Sequence, residues 1–175
     1  MSKRIGILTS GGDCPGLNAV IRGVVKASWQ LGYECLGFLK GYEGLYDPVR
    51  YITLTPKNTA GILTQGGTIL GSTNKGRFAA TIGVQDRVDL DPELLEGVAG
   101  TVKQLGIEGL VCIGGDGSLA ILRQLAEVGG FKLVGIPKTI DNDLDLPYGI
   151  PTFGFQTARH VGAEIVKNLM VDART

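Results

Sequence analysis

Bulk charge of either sign is missing from this chain. Lys and Arg total 17 and Asp and Glu total 17, so the formal net charge is zero. Neither a nucleic acid nor a membrane is therefore expected as a partner. No charge block, linker or internal repeat interrupts the 175 residues, a length of one domain or slightly more. No targeting segment or membrane-spanning apolar run is legible, and a strand begins directly after Met1-Ser2-Lys3, so the expected location is the cytoplasm. The three cysteines, Cys14, Cys35 and Cys112, are odd in number and show no CxxC spacing. Buried free thiols in a reducing compartment are the better reading, with reactivity an alternative only for Cys14, beside a glycine loop. The 28 glycines have no period, which excludes collagen-like and low-complexity chains. What is present is 43% hydrophobic residues, enough for a sizeable core.

Apolar runs alternate with helical patterns. Arg4 to Thr9 reads as a buried strand and Ser10 to Gly16 as a sharp turn. Leu17 to about Leu31 follows as a helix with Ala19, Val20, Val24, Ala27 and Leu31 near one face, closed by Gly32, and Glu34 to Leu39 as a second strand. Thr55 to Thr64 reads as a short helix entered through Pro56, and Gln65 to Arg77 as a strand fragment between glycine turns. Asp91-Pro92-Glu93 opens a helix to about Leu105 with Asp as N-cap and Pro at the first position. Gly109 to Ile113 is a strand, Ser118 to Val128 a helix, and Lys132 to Ile136 a strand. Thr152 to about Met170 is a helix with Ala158, Val161, Ile165, Val166 and Leu169 on one face. This alternation predicts an α/β fold, a three-layer Rossmann-like parallel sheet with helices on both faces.

In such a sheet ligands bind beyond the carboxyl ends of the strands, and three polar turns fall there. Gly11-Gly12-Asp13 has the form of a phosphate-binding corner, although it lacks both GxGxxG and GxxxxGK[ST]; a plain tight βα turn is the alternative. Ile113-Gly114-Gly115-Asp116-Gly117-Ser118 leads from a buried strand through glycines into a helix N-terminus, which favours anions. A carboxylate there would repel a phosphate unless a cation lay between them, so Asp116 is the candidate ligand of Mg²⁺ on a polyphosphate. The third turn, Pro137 to Asp145, sets alternating acids beside Lys138 and Thr139. It lacks the glycine and distant Glu of an EF-hand. A carboxylate here can take the proton of a sugar hydroxyl during phosphoryl transfer, and Lys138 can meet a phosphate as a point charge.

These residues resemble those of the 6-phosphofructokinase family. The matching stretches are LTSGGDCPGLNAVIRGVV (Leu8 to Val25), GYEGL (Gly41 to Leu45), QGGTILGSTNKGRF (Gln65 to Phe78), IGGDGS (Ile113 to Ser118) and PKTIDND (Pro137 to Asp143), in family order over nearly the whole chain. The resemblance implies transfer of the ATP γ-phosphoryl to the 1-hydroxyl of fructose 6-phosphate, with Mg²⁺ as cofactor. It sets Gly12, Tyr42, Lys75, Gly76 and Arg77 around the nucleotide and Gly115, Asp116, Gly117 and Ser118 along its phosphates. Thr139 and Asp141 would hold the sugar, Asp141 as general base, and Asp143 would support the base or a metal-bound water. Gly117 favours ATP over pyrophosphate because a bulky acid there would block the nucleotide α-phosphate, whereas Lys138 is similar to the pyrophosphate-using branch. Arg22 and Lys26 match a basic effector-binding pair of allosteric relatives or, alternatively, form a solvated helix face.

Family chains are about twice this length, beyond single-domain size. The chain therefore reads as a nucleotide-binding domain plus catalytic loop over 1–175, without the C-terminal sugar-phosphate half and weak or inactive alone. A homo-oligomer, tetramer or dimer, is expected of the full-length protein. The competing readings are an NAD- or lipid-type kinase sharing the GGDG turn, against which PKTIDND argues, and a non-catalytic nucleotide-binding module. His160 is expected on an exposed helix face and Trp29 packed at the end of the first helix.

Overall fold

The computed structural model describes residues 3–73, 76–78 and 90–174. Strand β1 (Lys3–Thr9) leads into helix α1 (Leu17–Gln30), then β2 (Tyr33–Phe38), a 3-10 turn at Gly41–Leu45 and β3 (Tyr51–Leu54). Helix α2 (Pro92–Gln104), β4 (Ile107–Gly114), α3 (Asp116–Gly129), β5 (Lys132–Pro137) and α4 (Phe155–Asp172) follow. The sheet order is β3-β2-β1-β4-β5. Strands β1, β2, β4 and β5 pair in parallel, as expected. The edge strand β3 runs antiparallel to β2, so the sheet is mixed rather than wholly parallel. A short return through the 41–45 turn, with no crossover helix, permits only that direction.

Successive residues of β1 point to opposite faces, and each face has its own core. Ile7 packs with Leu17, Ile21 and Val25 of α1. Leu8 packs with Val98 and Val102 of α2 and with Ile121, Leu122 and Leu125 of α3. Helices thus cover both faces, as expected. The order also makes a switch point: from β1 the chain first winds outward to β2, then returns to place β4 on the other side of β1. Turns after β1 and β4 therefore diverge and leave a crevice at the carboxyl edge, where α/β sheets hold ligands.

Several expectations fail for local reasons. The buried stripe of α1 is Leu17, Asn18, Ile21, Val25 and Ser28, whereas Leu31 is 73% exposed. Two polar residues can occupy that stripe because Asn18 bonds loop carbonyls and Ser28 Oγ bonds back to the Val24 carbonyl at 2.6 Å. Trp29 is 61% exposed rather than packed, because it lies off the stripe. Over 55–64 there are turns and a single 3-10 turn, Ile62–Thr64, instead of a helix. Asn58 and Thr55 exchange side-chain-to-backbone bonds of 2.8 and 3.2 Å that compete with helical ones. Residues 65–73 form no strand: the Ile69 N–H donates to Asn18 Oδ1 at 2.8 Å and the Leu70 N–H to Thr68 Oγ1 at 3.2 Å. Asp91 does cap α2, accepting from the Glu93 N–H at 2.9 Å, with Pro92 at the first position.

The far flank is bare. No residue of α4 is buried, and Val161, Ile165, Val166 and Leu169 are half-exposed or more. On β5, Leu133 and Val134 are likewise open. His160 is exposed, as expected. Among the described residues no helix is long and apolar enough to cross a membrane.

Candidate functional site

A cleft of about 300 Å³ opens at the switch point, walled by Ser10, Gly11, Gly12, the Gly115–Ser118 turn, Phe78 and Lys138. Its floor is braced by hydrogen bonds between turns far apart in sequence. The Ser10 N–H donates to the Ile113 carbonyl at 2.9 Å, and Ser118 Oγ donates to Ser10 Oγ, also at 2.9 Å. Ser72 Oγ donates to the Gly11 carbonyl at 2.8 Å. At Gly114 a Cβ would stand 2.6 Å from the Ser118 Cβ, so only glycine lets β4 turn this sharply into α3.

Gly115 is the N-cap of α3 and offers no side-chain cap, so the first N–H groups of the helix remain directed at the cleft. Asp116 stands exposed in that first turn. Among the described residues no three His, Cys, Asp or Glu side chains gather in a metal-binding group. A magnesium ion at Asp116 would therefore take its other ligands from phosphate oxygens and water, the arrangement this small, strongly hydrated ion favours. The exposed Asp116 carboxylate suits such an ion, and the helix N-terminus beside it suits the phosphate.

Lys138 follows β5. Its backbone N–H donates to the Gly114 carbonyl at 2.9 Å, and its Nζ donates to the Gly12 carbonyl at 2.6 Å. One residue thus links all three turns, through its backbone to Gly114 and its side chain to Gly12, and the ammonium keeps further donors for an anion. Beyond it, Thr139 Oγ1 accepts from the Asp141 N–H at 3.0 Å, a local turn that leaves the Asp141 carboxyl exposed. Asn142 adopts φ 58°, and its Oδ1 accepts from the Thr152 N–H at 2.8 Å, pinning the loop at its tip. Asp143 is exposed next to it.

The expected residues fall in several places. Gly12, Gly115, Asp116, Gly117, Ser118 and Lys138 meet at the cleft. Thr139, Asp141 and Asp143 lie on the adjoining loop rather than in its wall. Tyr42 is only 2% exposed and lies beneath the α3 turn, where its hydroxyl donates to the Ser118 carbonyl at 2.6 Å; it faces the core. Gly76 and Arg77 are exposed at the rim, and Lys75 lies outside the described residues. Sequence reasoning passed over Ser10 and Phe78 as site residues. Ser10 was legible as the hydroxyl beside the first glycine pair, whereas nothing local marks Phe78.

All three thiols are free and buried. Burial pushes Cys35 and Cys112 up to about 12. Cys14 is also raised, by burial and despite the Lys138 ammonium; its Sγ lies 3.6 Å from the Thr139 carbonyl and 3.5 Å from that of Phe153. A protonated, enclosed thiol is a packing group and a poor nucleophile. Arg22 is bound rather than freely solvated: its Nη1 donates to the Thr59 carbonyl at 2.6 Å and to the Pro56 carbonyl at 3.3 Å.

The curated relatives include an "ATP-dependent 6-phosphofructokinase 1" of Synechocystis sp., 47% identical over 173 residues, a match covering 95% of this chain and 45% of that protein. A "Pyrophosphate--fructose 6-phosphate 1-phosphotransferase" of Thermotoga maritima is 39% identical, covering all of this chain and 40% of that protein. The chain thus spans less than half the length of these relatives. Among solved structures, phosphofructokinase from Saccharomyces cerevisiae superposes with a TM-score of 0.76 at 28% identity, over 98% of this chain and 24% of that one. The family model for phosphofructokinase matches residues 4–175, so that the cleft and the loop after β5 both fall within the match, and the chain belongs to the phosphofructokinase family.

Proposed function

We propose that this chain is the nucleotide-binding part, with the catalytic loop, of an enzyme that transfers the γ-phosphoryl group of ATP to the 1-hydroxyl of fructose 6-phosphate in glycolysis. The observation that carries the reading is the convergence of Gly12, the α3 N-terminus with Asp116, and Lys138 on one cleft at the switch point. The N–H groups of the α3 turn would receive the phosphate chain, and Lys138 would meet its charge from the opposite turn. Magnesium, when bound at Asp116, would neutralise charge on the transferred group. The Asp141 carboxylate would take the proton of the sugar hydroxyl as that oxygen bonds to the γ-phosphorus and the bond to ADP breaks. Thr139 would hold the sugar through its hydroxyl, and Asp143 would support the base.

ATP is the donor favoured by Gly117, which leaves room for an α-phosphate, and by the higher identity to the ATP-dependent relative than to the pyrophosphate-dependent one. Pyrophosphate is the second reading, favoured by Lys138 over the cleft. A homo-oligomer acting in the cytoplasm is the setting we infer for the whole protein. Titration calorimetry with MgATP and with magnesium pyrophosphate tests the reading. We expect MgATP to bind and Asp116→Ala to weaken it by about tenfold to a hundredfold, the worth of a lost charged contact. Binding of pyrophosphate alone would overturn the choice of donor, and normal turnover by the 175-residue chain would overturn its need for a second half.

A further inference from the structure

The turn Gly41–Leu45 does more than return the chain to β3. Tyr42 and Leu45 anchor it in the core, at 2% and 0% exposure. Glu43, between them, is half-buried. Its Oε1 accepts the Arg77 backbone N–H at 2.9 Å. A Cβ on Gly76 would collide with the same carboxylate, and Gly76 has φ +92°, so glycine alone lets the backbone close over Glu43. The neighbouring contacts are less directional. The Arg77 guanidinium lies 4.9 Å from the centroid of the Tyr46 ring. Phe78 packs on Tyr42 with centroids 5.6 Å apart, tilted by 34°.

Three consecutive residues, Gly76, Arg77 and Phe78, are thus fastened to one short turn. Phe78 walls the cleft together with Ile121 and the Gly115–Ser118 turn. Ring packing and the cation–ring contact tolerate sliding, whereas a backbone N–H donated to a carboxylate fixes both distance and direction. The Glu43 bond therefore sets where the wall stands.

We propose that Glu43 is a positioning residue for the nucleotide, its carboxylate holding Gly76–Phe78 as the wall of the cleft that also contains the α3 turn. This rests on the nucleotide reading above. Glu43 touches none of the reacting atoms, so its loss acts on nucleotide affinity and leaves the Asp141 loop alone. Gln keeps an oxygen acceptor of the same length, whereas Leu keeps the bulk and loses the bond.

The test compares Glu43→Leu and Glu43→Gln in the intact protein that carries this chain. Calorimetric MgATP affinity, the KM for each substrate, kcat and amide hydrogen exchange of residues 76–78 without nucleotide would be measured. We expect Glu43→Leu to weaken MgATP binding about tenfold and to speed exchange at Arg77, with kcat and the fructose 6-phosphate KM unchanged. Glu43→Gln should restore most of the affinity and protection. Unchanged MgATP affinity in Glu43→Leu would overturn the proposal, and so would an equal loss for both substrates, which marks a general structural role. A wild-type protein that binds no MgATP would overturn the nucleotide reading and this proposal with it. Faster exchange at Arg77 alone would then show a brace without a nucleotide role.

Discussion

The two flanks of the sheet behave oppositely. At the carboxyl edge, around β1 and β4, every turn is tied to another: Ser10 to Ile113 and Ser118, Ser72 to Gly11, Lys138 to Gly12. On the outer flank, β5 and α4 expose Leu133, Val134, Val161, Ile165 and Leu169, and α4 buries no residue. The loop after β5 lies between, fixed at Asn142 but with Asp141 and Asp143 open. The difference teaches that the donors of the braced edge are already held in place, as a bound anion would require, whereas the outer flank is apolar and open.

The largest effect should come from the boundary between the two regions. Asp141→Asn in the intact protein should lower kcat by roughly 10²- to 10⁴-fold, the worth of a positioned general base, while calorimetric MgATP affinity stays unchanged. A parallel loss of MgATP affinity would show that the loop and the braced edge are not separate.

A smaller effect tests the core beneath the braced edge. Cys35 has its thiol raised from an ordinary 9.0 to about 12 by burial. Below pH 9 both folded and unfolded chains hold that proton. Between 9 and 12 the unfolded chain releases it and the folded one does not, so stability falls as pH rises, by up to about 1.4 kcal/mol per pH unit for this thiol. Urea midpoints at pH 8 and pH 11 should therefore converge in Cys35→Ala relative to the parent. An identical pH slope in both would show that burial of this thiol does not govern alkaline stability.

The smallest effect on stability belongs to the bare flank. Val161→Lys with Leu169→Lys should shift the unfolding free energy of the 175-residue chain by no more than about 0.5 kcal/mol, as at other exposed sites. The same pair should reduce self-association seen by light scattering, because open apolar patches drive it. Strong destabilisation would mean that α4 packs on this chain after all.

How much was legible follows from the range of each interaction. Capping by Asp91, the strands of the parallel ladder and the glycine turns at Gly12 and Gly115 were readable, since a few neighbouring residues decide them. The residues around 55–73 were misread, because Asn58 and Asn18 divert backbone hydrogen bonds that propensity assigns to a helix or strand. Tyr42 carried the right motif but faces the core, and only the packing of the 41–45 turn under α3 reveals it.

By itself, then, the sequence determined the βα alternation, the three polar turns and the family whose motifs they carry, because glycine, caps and short motifs act within a few residues. Tertiary structure alone decided which turns share a cleft, that β3 reverses, that Lys138 reaches Gly12 across 126 positions, and that Glu43 holds the Arg77 backbone. The contacts of the cleft arise from strand order, which brings β1, β4 and β5 side by side and is written in no single stretch of the chain, whereas the reversal of β3 and the Glu43 bond belong to the 41–45 turn.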